Sequence, residues 1–268
     1  MLGEIGQFFA VDSGTFPSND HIVVGNRSRQ GDFLIHFFLN LCQKQSRPVV
    51  FLGLSQSFSH YSSVAQKLGV NLVSARDERK HLVFHESLLA LSECAASSSV
   101  PSTKSTHNPL LDLLKGDLTA LLELVNGSLE TLAQTETGTF NAPVVIIDDL
   151  SVLLSIGVAP ESLLLLVNSL HELVTSPSRQ GSLIISLCLD KEDEKAEELW
   201  AFLTHLSTLK VQVTDLPSGY CRDVHGEVYA EWRDTHDKPR KSITKHTQFK
   251  LFDKNISLFA PGMSAAVL

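Results

Sequence analysis

Residues 48–69, PVVFLGLSQSFSHYSSVAQKLG, decide the fold. Pro48 introduces Val49, Val50, Phe51, Leu52, Gly53 and Leu54, a continuous apolar run of the kind buried on both faces of a parallel sheet. Ser59–Leu68 then carries the apolar spacing of an amphipathic helix, stopped by Gly69, the residue that best tolerates a left-handed cap. Strand, loop and helix in that order predict a β/α unit.

The same rhythm recurs on both sides. His21–Gly25 is a β-branched run, Asn26–Gln30 a polar loop, and Asp32–Cys42 a helix by its apolar spacing. Val70–Val73 and His81–His85 read as short strands or sheet edges, and Leu110–Leu132 as a helix. Pro143 opens Val144, Val145, Ile146 and Ile147, ending at Asp148 and Asp149, the clearest central-strand signal in the chain. Glu161–Val174 predicts a helix, Ser182–Leu189 a buried strand, and Lys191–Leu206 a helix with a charged first turn. After Leu209 the pattern changes to short alternating runs, Lys210–Thr214, Glu227–Arg233 and Phe249–Phe259, broken by Pro217, Gly219, Gly226 and Pro239. These predict antiparallel hairpins at one edge of the sheet. The expected architecture is one α/β domain over residues 1–268, a mostly parallel central sheet flanked by helices with C-terminal antiparallel hairpins. Residues 95–109, AASSSVPSTKSTHNP, predict a mobile surface insertion rather than a domain boundary.

Composition narrows the function classes. With 268 residues the chain can bury roughly three quarters of its unfolded surface, and 43% hydrophobic with 19% charged content excludes the disordered class. A net charge of -8 argues against nucleic-acid binding across the whole surface, so such binding would be local. Cys42, Cys94, Cys188 and Cys221 are far apart with no CxxC pair; they read as buried free thiols, with Cys188 as core filler. The 11 histidines include no HExxH or other ligand spacing, and no metal is expected. Met1–Ala10 lacks a basic leader region and no window approaches a membrane span, which predicts a cytoplasmic or nuclear protein.

The first loop has the strand, glycine and helix layout of a phosphate loop, but its side chains refuse phosphate. Counting back from Gly31, the motif needs Gly where Asn26 stands, Lys where Asp32 stands, and Ser or Thr where Phe33 stands. Asp32 sets a carboxylate in the place of the phosphate-binding ammonium, and Phe33 has no hydroxyl for Mg²⁺. Asp148 ends its strand where a magnesium-orienting carboxylate would sit, though an Asp capping the next turn reads the same way. Basic residues are scattered: Arg27 and Arg29 in the first loop, Arg76, Arg79 and Lys80 after the second helix, and Lys238, Arg240, Lys241 and Lys245 in the last hairpins. A solvated loop accounts for the last group as simply as phosphate contact does.

Residues 49–72, VVFLGLSQSFSHYSSVAQKLGVNL, resemble the second strand and helix of RecA-family ATPases. They resemble still more closely the sixth-subunit family of the Elongator complex, through Gln56, Ser57, Phe58, Ser59, His60 and Tyr61 leading into Gln66, Lys67, Leu68, Gly69 and Val70. The likeness extends through the loop at 25–33 and the strand at 144–149, and fades in the 95–109 insertion and the C-terminal hairpins. It implies a RecA-like fold and puts Gln56 where active members carry the Glu that activates water; an amide has no useful basicity. Lysine, hydroxyl and base are absent together, so the resemblance implies a pseudo-ATPase with no catalytic residue and no cofactor. Asn26, Gly31, Asp32, Phe33, Gln56 and Asp148 are then vestigial nucleotide-site positions. The family further implies a hetero-hexameric ring, two copies each of Elongator proteins 4 and 5 and of the sixth subunit, which binds tRNA and supports wobble-uridine modification. The remaining Elongator subunits are further partners. RNA-contact candidates are Arg27, Arg29, Lys238, Arg240 and Lys241, because the stretches that follow the strands at Asp148 and Leu189 have no basic residue over 151–162 and are mostly acidic over 190–198. Two other readings stay open: a nucleotide-binding RecA-like ATPase subunit using Asp148, and a recombination-type RecA paralogue, against which the acidic segment speaks.

Overall fold

A computed structural model describes residues 2–9, 20–28, 30–86, 109–135, 141–190, 192–219, 221–233 and 242–261. Nine strands form one sheet in the order β3-β2-β4-β5-β1-β6-β7-β8-β9. These are β1 His21–Arg27, β2 Val49–Gly53, β3 Leu82–Glu86, β4 Val144–Asp148, β5 Ser182–Cys188, β6 Leu209–Thr214, β7 Gly226–Arg233, β8 Ser242–Leu251 and β9 Ile256–Phe259. Strands β3, β2, β4, β5, β1 and β6 run parallel, and β7, β8 and β9 extend the sheet antiparallel.

The apolar runs behave as strands buried on both faces, and successive side chains alternate between two cores. Ile22, Val24, Val49, Phe51, Val144 and Ile146 pack into one core with helices α1 (Leu2–Phe8), α2 (Phe33–Lys44), α3 (Phe58–Lys67) and α4 (Leu72–Asp77). Val23, Val50, Leu52, Val145, Ile147, Leu183 and Ile185 enter the other. There they meet α5 (Pro109–Leu114), α6 (Thr119–Thr135), α7 (Ser151–Ser155), α8 (Pro160–Thr175) and α9 (Glu194–Leu206). Each fully buried aliphatic side chain is worth about 1.5–3 kcal/mol relative to exposure, so this two-sided sheet is the main source of stability. Helix α2 is buried from Phe33 to Gln43 without interruption; Phe9 stacks on Phe37 and tilts against Phe38, and His60 and Tyr61 lie against His36.

Several local expectations change. Residues 70–73 do not form a strand: the Asn71 side chain accepts from Ser74 N at 3.0 Å and caps α4, and a cap of this kind overrides a short β-branched run. The helix expected over 110–132 is two, parted by a turn at Gly116, and Asp117 Oδ1 accepts from Thr119 N to start α6. Strand β1 runs on through Asn26 and Arg27, which shortens the first loop. Strand β6 pairs parallel to β1 and antiparallel to β7, so it is the seam between the two halves rather than part of a hairpin edge. The run 249–259 splits into the end of β8 and β9. Cys42 is buried, but Cys188 is exposed and Cys221 half-buried. Cys188 fails as core filler because it is the last residue of β5, where the strand emerges beyond the helices that cover Leu183–Leu187. Cys94 and residues 95–108 of the expected insertion lie outside the described residues, and Pro109 begins α5.

Candidate functional site

The carboxyl ends of β1, β2, β4 and β5 lie side by side, the place where open α/β sheets bind their ligands. Asn26 has its backbone pinned between β5 and β6, opposite Cys188 and Val213, and Leu189 N donates to Asn26 O at 2.8 Å. Its side chain turns into the loop. Oδ1 accepts from Ser28 N at 3.0 Å, and Nδ2 donates to Asp32 Oδ1 at 3.0 Å. Further round, Gln30 N donates to Ser28 Oγ at 3.2 Å and Gly31 N to Ser28 O at 3.2 Å. The amides of Ser28, Gln30 and Gly31, which in a phosphate loop would face an anion, are thus spent inside the loop. Phe33 is buried against Phe249 with ring centroids 5.0 Å apart, and Gln56 is exposed at the end of β2.

Asp148 is held on both oxygens. Tyr61 Oη donates to Oδ2 and Ser186 Oγ to Oδ1, while the Asp148 carbonyl accepts from Leu54 N at 2.6 Å. Burial pushes its carboxyl up to about 6; the Ser186 and Tyr61 hydrogen bonds offset part of that, and neighbouring Asp149 and Asp32 add to it. Asp149 accepts from Ser151 N and Oγ at 2.8 Å and from Cys188 N at 3.1 Å, which ties α7 and β5 to the end of β4. Burial raises its pKa too, against the opposing Ser151 and Cys188 bonds. Sequence reasoning placed Asp148 but missed Tyr61 and Ser186. A signal for Ser186 was present, since it is a hydroxyl in the middle of the apolar run 183–188, LIISLC, and a buried hydroxyl needs a partner. Among the described residues no group of three or more His, Cys, Asp or Glu could hold a metal ion.

Of the five basic RNA-contact candidates only Arg27 lies within the described residues; Arg29, Lys238, Arg240 and Lys241 lie outside them. Arg27 makes a bidentate pair with Glu197 of α9, and holds the Glu197 carboxyl below its ordinary range. Arg76 pairs with Asp77 and lies over the Phe58 ring, and Lys245 Nζ donates to Phe8 O at 2.6 Å. A groove of about 480 Å³ on the outer half of the sheet is lined by Lys210, Gln212, Tyr229, Glu231, Thr244 and His246. Lys245 also lines it, and of its charged groups Glu231 is paired to Arg233 while His246 lies beside Glu227.

Strand order and loop position together define a RecA-like α/β protein in which the loop after β1 is filled by its own side chains. The family model of Elongation complex protein 6 matches residues 3–253. Elongator complex protein 6 of Danio rerio is 36% identical over 277 residues, covering 100% of both chains. That of Homo sapiens is 38% identical over 244 residues, covering 89% of each, and that of Xenopus laevis 35% identical over 271 residues. This chain belongs to the Elongator complex protein 6 family.

Proposed function

We propose that the chain is a non-catalytic subunit of the Elongator accessory ring, assembled with Elongator proteins 4 and 5 as a hetero-hexamer that binds tRNA and supports wobble-uridine modification. The observation that carries the non-catalytic part is the filled loop: Asn26 accepts Ser28 N, and Asp32 stands as a carboxylate where an ammonium would meet phosphate. Asp148 supports it, since both its oxygens are taken by Tyr61 and Ser186. With no site of its own to turn over nucleotide, the chain contributes surfaces, and the RNA meets the ring as a whole. Among the described residues no helix is long and apolar enough to cross a membrane.

Light scattering after size exclusion tests the assembly, on the chain alone and co-expressed with Elongator proteins 4 and 5. A particle with two copies of each is expected, and a monomer that ignores both partners would sink the ring reading. Calorimetry with Mg-ATP tests the non-catalytic part separately. No binding heat is expected from the isolated chain, and a saturable isotherm would revive the ATPase-subunit reading.

A further inference from the structure

We infer that the Asn26 carboxamide is a built-in stand-in for a phosphate, which keeps the loop after β1 in its folded form with no ligand. Three observations converge on it. The carboxamide oxygen accepts the Ser28 amide, one of the loop amides that a phosphate loop would turn to its anion, while its nitrogen bridges to the Asp32 carboxylate at the head of α2. A phosphate oxygen could not make that second contact, because it would meet Asp32 as like charge. The backbone of Asn26 is fixed in mid-sheet by β5 and β6, so the side chain is delivered from a rigid strand rather than from a mobile loop.

The third observation is Gly31. Positive φ at glycine occurs at Gly69, Gly116, Gly157 and Gly219, and Gly31 is not among them, so no left-handed φ calls for glycine there. What excludes a side chain is Asn26: a Cβ at position 31 would lie 2.0 Å from Asn26 Oδ1 and 2.3 Å from Cγ. Gly31 and Asn26 are therefore one device. The glycine leaves the volume, and the carboxamide fills it and uses up the amide that would otherwise call for an anion. The inference deepens the non-catalytic reading and rests on it for its meaning, but its test does not use nucleotide.

The test is a double-mutant cycle on the full chain, read by thermal melting and by hydrogen exchange at the Ser28 amide. Gly31→Ala should push the carboxamide out of its seat, lower Tm on the order of 5 °C, and speed Ser28 exchange about tenfold or more. In Asn26→Gly the seat is already empty, so adding Gly31→Ala should lower Tm by clearly less than it does alone. Asn26→Asp, which keeps the size but replaces the donor by a charge beside Asp32, should be destabilised at pH 7 and relieved by Asp32→Asn. Additive effects in the cycle, or unchanged Ser28 protection in Asn26→Gly, would overturn the proposal while leaving the Mg-ATP result to speak for the non-catalytic reading.

Discussion

Asp148 is a carboxylate that folding must desolvate, and the two donors that meet it come from distant parts of the chain: Tyr61 is 87 residues away and Ser186 is 38. Its pKa is raised from 3.8 to about 6, so the folded state holds this proton more tightly than the unfolded one. The stability it contributes is therefore complete below about pH 4 and is lost as pH rises through 6. A shift of roughly two units corresponds to a loss on the order of 3 kcal/mol. Urea denaturation of wild type and Asp148→Asn from pH 4 to 7 should show the difference between them drifting by about that amount in favour of the variant. A constant difference would mean that Asp148 does not titrate in this window. Tyr61→Phe removes one donor and should cost about 1–3 kcal/mol, more above pH 6 than below, because the bond is strongest to the ionised carboxylate.

At the scale of elements, two glycines should respond to the same substitution with opposite signs. Gly69 ends α3 with φ +83, and Gly127 stands on an exposed position inside α6; at neither would a Cβ meet anything within 4 Å. Backbone conformation is then the only variable. Gly69→Ala should destabilise by about 1 kcal/mol, because a left-handed alanine is strained, whereas Gly127→Ala should stabilise by about 0.5–1 kcal/mol by lowering the entropy of the unfolded chain. Equilibrium denaturation checks both, and equal signs would show that the end of α3 is wrongly described. The strand at 144–148 and the helix over 160–175 were plain from sequence because their periodicity is local. Helix α4 was not, since its start is set by the Asn71 side chain accepting from Ser74 N.

Over the whole molecule, charge is the quantity that bears on the proposed tRNA contact. The net charge is -8 and Arg27 is paired with Glu197, so tRNA affinity of the assembled ring should depend on local basic segments. Charge reversal at Lys238, Arg240 and Lys241 should weaken tRNA binding and flatten its salt dependence if that segment reaches RNA. Unchanged affinity and salt slope would remove it from the contact set. The alternation of apolar strand and amphipathic helix determined, from sequence alone, a parallel α/β sheet with an antiparallel extension, because burial on one or two faces is written in the period of the apolar residues. The absence of Lys and of a hydroxyl at Asp32 and Phe33 was equally legible, since a motif is a matter of spacing. Only the tertiary structure decided what fills the site in their place. Asn26 folds onto Ser28 and Gly31, Phe33 turns into the core against Phe249, and Tyr61 and Ser186 close on Asp148. Those contacts depend on which strand ends meet and how each side chain is aimed there, and such proximity is created by packing the two faces of the sheet, not by neighbours along the chain.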